Sequence, residues 1–171
     1  MIYVLQERGY DRRSVRAVTL NRPLSQIRPV DERRKLEVLP EFTKTNEFQQ
    51  LATAFKRVRN ITRDVTPEEA RVAAPNLTDL TEPAERALLA EINKRAPIIE
   101  GALASGKNFR EAFSEASKVG PVVDKFFTDV LVMADDPQVR RNRRWLLKRL
   151  ETLMLNLADV SEIVPEDARS G

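Results

Sequence analysis

Apolar residues recur along this chain at three- and four-residue intervals, and no stretch alternates apolar with polar for long. That periodicity predicts helices rather than strands. Ala, Leu, Arg, Glu and Lys fill most other positions, and all of them sit in a helix at low cost. The clearest element of the first half runs from Asn46 to Arg63. Phe48, Leu51, Ala52, Phe55, Val58 and Thr62 form one stripe there, the core-facing side of an amphipathic helix. On a helical wheel Gln49, Lys56, Asn60 and Arg63 share one flank of that stripe. Arg59 sits at its edge, and Arg57 points almost the opposite way.

The other elements follow from the same spacing and from Pro and Gly as punctuation. Residues 1–9 read as the tail of an upstream helix stopped by Gly9, which suggests an excised fragment. Asp11 can cap a short helix carrying Val15 and Val18. Pro23 suits the first turn of another segment, with Leu24 and Ile27 inward, and Pro29 should kink or restart it before Leu36, Leu39 and Pro40. Residues 64–80 read as an internal connector in which Thr66-Pro67-Glu68-Glu69 has the form of a capping box. Thr81 or Glu82 should start a helix with Ala84, Leu88, Leu89, Ile92, Ile99 and Leu103 inward, bent though not necessarily ended by Pro97 and closed by Ser105-Gly106. A helix from Lys107 or Asn108 carries Phe109, Ala112, Phe113 and Ala116. Gly120-Pro121 should begin a fresh one with Val122, Val123, Phe126, Phe127, Val130 and Met133. Asp135-Asp136-Pro137 then stops that helix and caps the last, expected to run from Pro137 to Ile163 on a Leu-rich stripe. The whole predicts a single all-α domain over 1–171, a helical bundle.

Composition narrows the function. The chain has no Cys and no His, which removes thiolate nucleophiles, Cys-ligated zinc, imidazole bases and Ser-His-Asp triads. The five Gly form no phosphate-cradling loop. No apolar run approaches the roughly 18 residues of a membrane span, and MIYVLQERGY lacks the layout of a secretory signal. A soluble intracellular module that binds and does not catalyse is the expectation, with no metal and no cofactor in the chain and no membrane partner.

Charge changes the picture further. The net is only +3, but residues 1–63 carry 14 basic and 7 acidic side chains, residues 64–136 carry 8 and 14, and residues 137–171 carry 7 and 5. Basic ends around an acidic middle suit a polyanion-binding surface that covers part of the molecule; blocky solvated helix faces give the same pattern. Glu68/Glu69 and Asp135/Asp136 are paired carboxylates, and Asp-Asp-Pro before a helix reads as a cap rather than as a magnesium site or an acid/base pair. Phe109, Phe113, Phe126 and Phe127 read as core. Trp145 lies off the stripe of the last helix, where it either packs a second interface or offers a stacking face. Arg143 falls inside that stripe, so it must snorkel or be paired. Asp135, Asp136 or a carbonyl at the end of the preceding helix are its natural partners. Two basic runs remain: Lys56, Arg57, Arg59, Asn60 and Arg63, and Arg140, Arg141, Asn142, Arg143 and Arg144. Each is either a solvated helix turn or a set of donors that holds phosphates and reads base edges.

Several segments in order resemble one family. Phe126-Phe127-Thr128-Asp129-Val130-Leu131-Val132-Met133-Ala134-Asp135-Asp136-Pro137, then Arg140, Asn142, Arg143 and Leu146-Leu147, is similar to the C-terminal signature of the β subunit of bacterial tetrameric glycyl-tRNA synthetase. Leu155-Asn156-Leu157-Ala158-Asp159-Val160-Ser161 resembles the end of that signature. Glu7-Arg8-Gly9-Tyr10 with Val15-Arg16-Ala17-Val18 resembles its start, and Ala54-Phe55-Lys56-Arg57-Val58-Arg59-Asn60-Ile61 resembles a helix between them. Thr128, Trp145 and Pro29 depart from the usual pattern. The resemblance implies an all-helical anticodon-binding domain like the DALR domain of arginyl-tRNA synthetase. It implies a cytoplasmic bacterial fragment, monomeric in isolation, that is non-catalytic and binds the anticodon stem-loop of glycine tRNA. It further implies that ATP and magnesium are used on the separate catalytic α subunit, and that the α subunit and the rest of the β subunit are partners. Lys56, Arg57, Arg59, Asn60, Arg63, Arg140, Asn142 and Arg144 are the candidate RNA contacts. A module that docks the α subunit or the upstream β body is the alternative.

Overall fold

Side-chain caps set several of the helix starts. In the computed structural model, which describes residues 2–20, 25, 27–71 and 73–163, the helices are α1 (Ile2–Glu7), α2 (Arg12–Thr19), α3 (Pro29–Val38), α4 (Pro40–Thr43), α5 (Asn46–Thr62), α6 (Pro67–Ala70), α7 (Pro83–Ser105), α8 (Phe109–Asp129) and α9 (Pro137–Leu157). Short 3-10 turns lie at Leu77–Asp79 and Val160–Ile163, and the described residues contain no strand. Met1, Pro23 and Leu24, named above, lie outside the described residues. Asp11 caps α2 by accepting from the Ser14 amide at 2.9 Å. Thr45 caps α5 through Phe48 N, and Asp136 caps α9 through Gln138 N and Val139 N. Each cap satisfies amide donors that the helix itself leaves unpaired. The predicted box at Thr66 and Glu69 forms in both directions. Pro29 occupies the first turn of α3, so it restarts the chain as a helix.

Helices α5, α7, α8 and α9 enclose the core. Phe48, Leu51, Phe55 and Val58 of α5 are buried with Phe113, Val119, Val123 and Phe126 of α8 and Leu146, Leu147, Leu150 and Met154 of α9. α7 and α8 form an antiparallel pair turned by Gly106 and Asn108, both at positive φ, and the salt bridge between Arg95 and Glu115 crosses it at 2.5 Å. α5 and α8 run in the same direction: Gly120 abuts the backbone of Glu47 and Leu51, while Phe127, two turns on, meets Arg57. Gly120 permits that approach, because a Cβ there would sit 2.9 Å from Leu51 N. Pro97 lies inside α7 as expected, without ending it.

Three expectations are corrected. Gly120-Pro121 does not begin a new helix; α8 passes through it unbroken. Pro121 costs a backbone hydrogen bond and about 3 kcal/mol. The apolar stripe is continuous across the site, from Phe113 and Val119 to Val123 and Phe126. Each such buried side chain contributes about 1.5–3 kcal/mol, so packing outweighs the break. α8 then ends at Asp129 with Val130 extended, before Asp135-Asp136-Pro137. Met133 therefore stands 58% exposed instead of facing inward. The last helix stops at Leu157, not Ile163. Ala158 is extended, and the Asp159 amide donates to the Ala17 carbonyl of α2 at 2.6 Å. That bond and the Arg16–Glu162 salt bridge at 3.0 Å tie the end of the described chain to α2.

Candidate nucleic-acid interface

Arg143 is buried, as its place in the apolar stripe requires, but its partner is neither Asp135 nor Asp136. Its Nε donates to Glu85 Oε1 at 2.5 Å and its Nη1 to the Leu131 carbonyl at 2.7 Å. The expected carbonyl beyond the preceding helix is present. The carboxylate comes from α7 instead, because Asp136 is spent on capping α9 and both aspartates are exposed. Glu85 also accepts from the Glu82 amide at 2.9 Å, closing the N-terminus of α7. The Arg143–Glu85 pair thereby ties α7, α9 and the segment after α8 together.

The α5 candidates separate into two groups. Lys56, Arg57, Asn60 and Arg63 lie at the surface of α5, with Lys56 half-buried and the others exposed. Arg63 donates to Asn60 Oδ1 at 3.1 Å, and the guanidinium of Arg57 lies over the Phe127 ring at 4.5 Å. Arg59 is different: its Nη1 binds Asp159 at 2.5 Å and its Nε lies 3.9 Å from Glu151. Its charge is spent on pinning α5 to α9 and to the turn beyond it.

The α9 candidates separate in the same way. Asn142 is buried; its amide nitrogen reaches toward the Asp79 carbonyl at 3.4 Å, and its oxygen accepts from Gln138 at 2.9 Å. It fastens the connector to α9 and does not face solvent. Arg144 is half-buried and pairs with Glu69 at 3.4 Å. Glu69 is held below the ordinary carboxylate range first by the Thr66 amide, with Arg144 adding to it. Arg140 donates to the Ala134 carbonyl at 3.1 Å, and Arg141 is exposed and donates to Gln138.

These contacts place both runs at one end of the bundle. Arg57 rests on the last turn of α8, and the segment leaving that turn supplies the carbonyls that bind Arg143 and Arg140. Carboxylates lie here too: Asp129 pairs with Lys125 at 2.6 Å, Asp136 caps α9, and Asp135 is exposed between them. What this end offers is therefore Lys56, Arg57, Arg63, Arg140 and Arg141 as positive charge with no carboxylate partner among the described residues, plus Asn60 as a base-edge donor and acceptor. Among the described residues no three acidic side chains gather as a metal site, and no helix is long and apolar enough to cross a membrane.

Phe127 was expected in the core, yet it is half-buried beneath Arg57. A signal lay in the sequence: adjacent residues in a helix point about 100° apart, so one of the Phe126-Phe127 pair can be central while the other packs at the margin of the core. Phe126 is buried, and the two rings meet edge to face at 5.6 Å. Glu85 gave no such signal, since nothing local distinguishes a capping carboxylate from one that also receives a distant arginine.

A helical domain that leaves several Lys and Arg side chains without carboxylate partners at one end, among the described residues, is an architecture used to hold nucleic acid, and comparison with known proteins agrees. Residues 51–165 match the DALR anticodon binding domain, and the chain belongs to that family. Among individual proteins it is similar to the glycine–tRNA ligase beta subunit of Anaeromyxobacter dehalogenans, 39% identical over 145 residues, which cover 83% of this chain and 20% of that protein. The beta subunit of Pseudoalteromonas translucida is 38% identical over 158 residues, covering 91% of this chain and 22% of its own length. The chain thus spans about a fifth of the length of the curated relatives it matches. The matches support a tRNA-related role, and these relatives are named as subunits of an aminoacyl-tRNA ligase.

Proposed function

We propose that this chain binds the anticodon stem-loop of glycine tRNA, as the non-catalytic anticodon-binding module of a glycyl-tRNA synthetase β subunit. The observation that carries the reading is the basic end itself: Lys56, Arg63, Arg140 and Arg141 lack carboxylate partners among the described residues, inside a chain of the DALR family. These cations supply a salt-dependent, sequence-blind attraction to phosphates. Asn60, exposed beside them, supplies a base-edge contact of the kind that reads an unstacked cytosine. Chemistry with ATP and magnesium belongs, on this reading, to a separate α subunit in the bacterial cytoplasm.

The test is binding of this chain to a glycine anticodon stem-loop across a salt series, beside a loop with its cytosines replaced. Binding that weakens with salt and with replacement supports the reading. Equal binding to both loops removes base readout, and no binding removes the RNA role. A second reading rests on α1, which exposes Ile2, Tyr3 and Val4, with Tyr3 72% exposed. Those exposed apolar side chains, remote in sequence from the basic end, favour docking against another part of the synthetase. Replacing Tyr3 and Val4 with Ser should then weaken assembly and leave stem-loop affinity unchanged.

A further inference from the structure

Arg57 differs from its neighbours in how it is held. It is exposed, and the atoms that fix it are those of a ring: its guanidinium carbon lies 4.5 Å from the Phe127 centroid. The planar guanidinium thus lies over the ring in a cation–π contact. Phe127 is itself fixed, half-buried in the last turn of α8 with its edge contact to the buried Phe126. The chain beyond that turn presents Leu131 and Met133, 72% and 58% exposed. Seating on the ring stabilises the cation and fixes where its flat group stands. A flat group offered to another flat group gains a defined orientation and loses less freedom on binding.

We propose that Arg57, seated on Phe127, is a stacking platform for an unpaired nucleobase of bound RNA. Base, guanidinium and phenyl ring form a three-layer stack, and Leu131 and Met133 give the neighbouring surface its apolar character. The inference rests on the RNA-binding reading above and assigns Arg57 a role distinct from that of Lys56 and Arg63: it orders a base, and they neutralise phosphates. Stacking of this kind is tolerant of base identity, so the platform positions the loop while polar groups such as Asn60 read it.

The experiment uses the chain and an anticodon stem-loop carrying 2-aminopurine at each unpaired position in turn. With the wild-type chain, one position should change its fluorescence as the base stacks. Arg57→Lys keeps the charge and removes the plane. It should abolish that change and weaken binding about tenfold, with the salt slope unaltered. Phe127→Leu should act in the same direction, and thermal melting monitors its fold. An Arg57→Lys chain that binds as tightly as wild type, with the same fluorescence change, overturns the platform and leaves the phosphate-binding reading standing. A wild-type chain that binds no stem-loop overturns both.

Discussion

Arg143 and Glu85 form a buried ion pair at 2.5 Å that joins the first turn of α7 to the second turn of α9. Their side chains are 9% and 1% exposed, so neither charge has water to fall back on. Removing one member of such a pair strands the other and costs about 3–5 kcal/mol. Arg143→Ala should therefore lower the unfolding free energy by roughly that amount, read by urea titration, and leave RNA affinity of the folded chain unchanged. An unaltered midpoint would remove the structural assignment.

Gly120 should resist the substitution that helices usually welcome. Gly to Ala in a helix ordinarily stabilises by about 0.5–1 kcal/mol. Here the added Cβ would press on the α5 backbone, 2.9 Å from Leu51 N, and backbone cannot rotate aside as a side chain does. Gly120→Ala should instead destabilise by about 1–3 kcal/mol, seen as a lower denaturation midpoint at unchanged slope.

The basic residues should divide by their partners. Lys56→Ala and Arg63→Ala should each weaken stem-loop binding and reduce the salt slope by about one, with melting unchanged. Arg59→Ala should do the reverse in melting, because it removes the 2.5 Å ion pair to the 1%-exposed Asp159 carboxylate. Melting curves and salt-dependent binding on the same three variants separate the two groups.

Acid should loosen the α7–α8 pair. Glu115 is held below the ordinary carboxylate value of 4.5, chiefly by its hydrogen bond to Lys118 and then by Arg95. A depressed folded value means that its contribution is complete above the unfolded pKa and is lost as pH falls through the lower one. Glu115→Gln should melt below wild type at neutral pH, and the gap should close in acid below the carboxylate range. A gap that persists there would show that the loss is one of packing.

Much of the architecture was legible because caps and stripes are local. Asp11, the Thr66–Glu69 box, Asp136 and the α5 stripe each declare themselves within one or two turns of sequence. Pro121 misled for a local reason as well: its cost is visible in sequence, while the burial that outweighs it depends on α5 and α9. The same holds at Asp159, where a carbonyl far back in α2 ends the helical stretch. The candidate site was legible in position but not in role. Arg59 and Asn142 stand in the same basic runs as Lys56 and Arg140, and only distant carboxylates, a connector carbonyl and burial turn the first two inward.

The common direction of α5 and α8 has a kinetic consequence. Two helices that run the same way cannot meet through a short turn, so residues 63–108 must be placed before their seam closes. The α7–α8 hairpin, by contrast, needs only the turn at Gly106–Asn108. Closing a long loop costs entropy before any contact repays it. The hairpin should assemble early and α5 should dock late, so that variants at the Arg95–Glu115 crossing slow folding while those at the Gly120 seam chiefly speed unfolding.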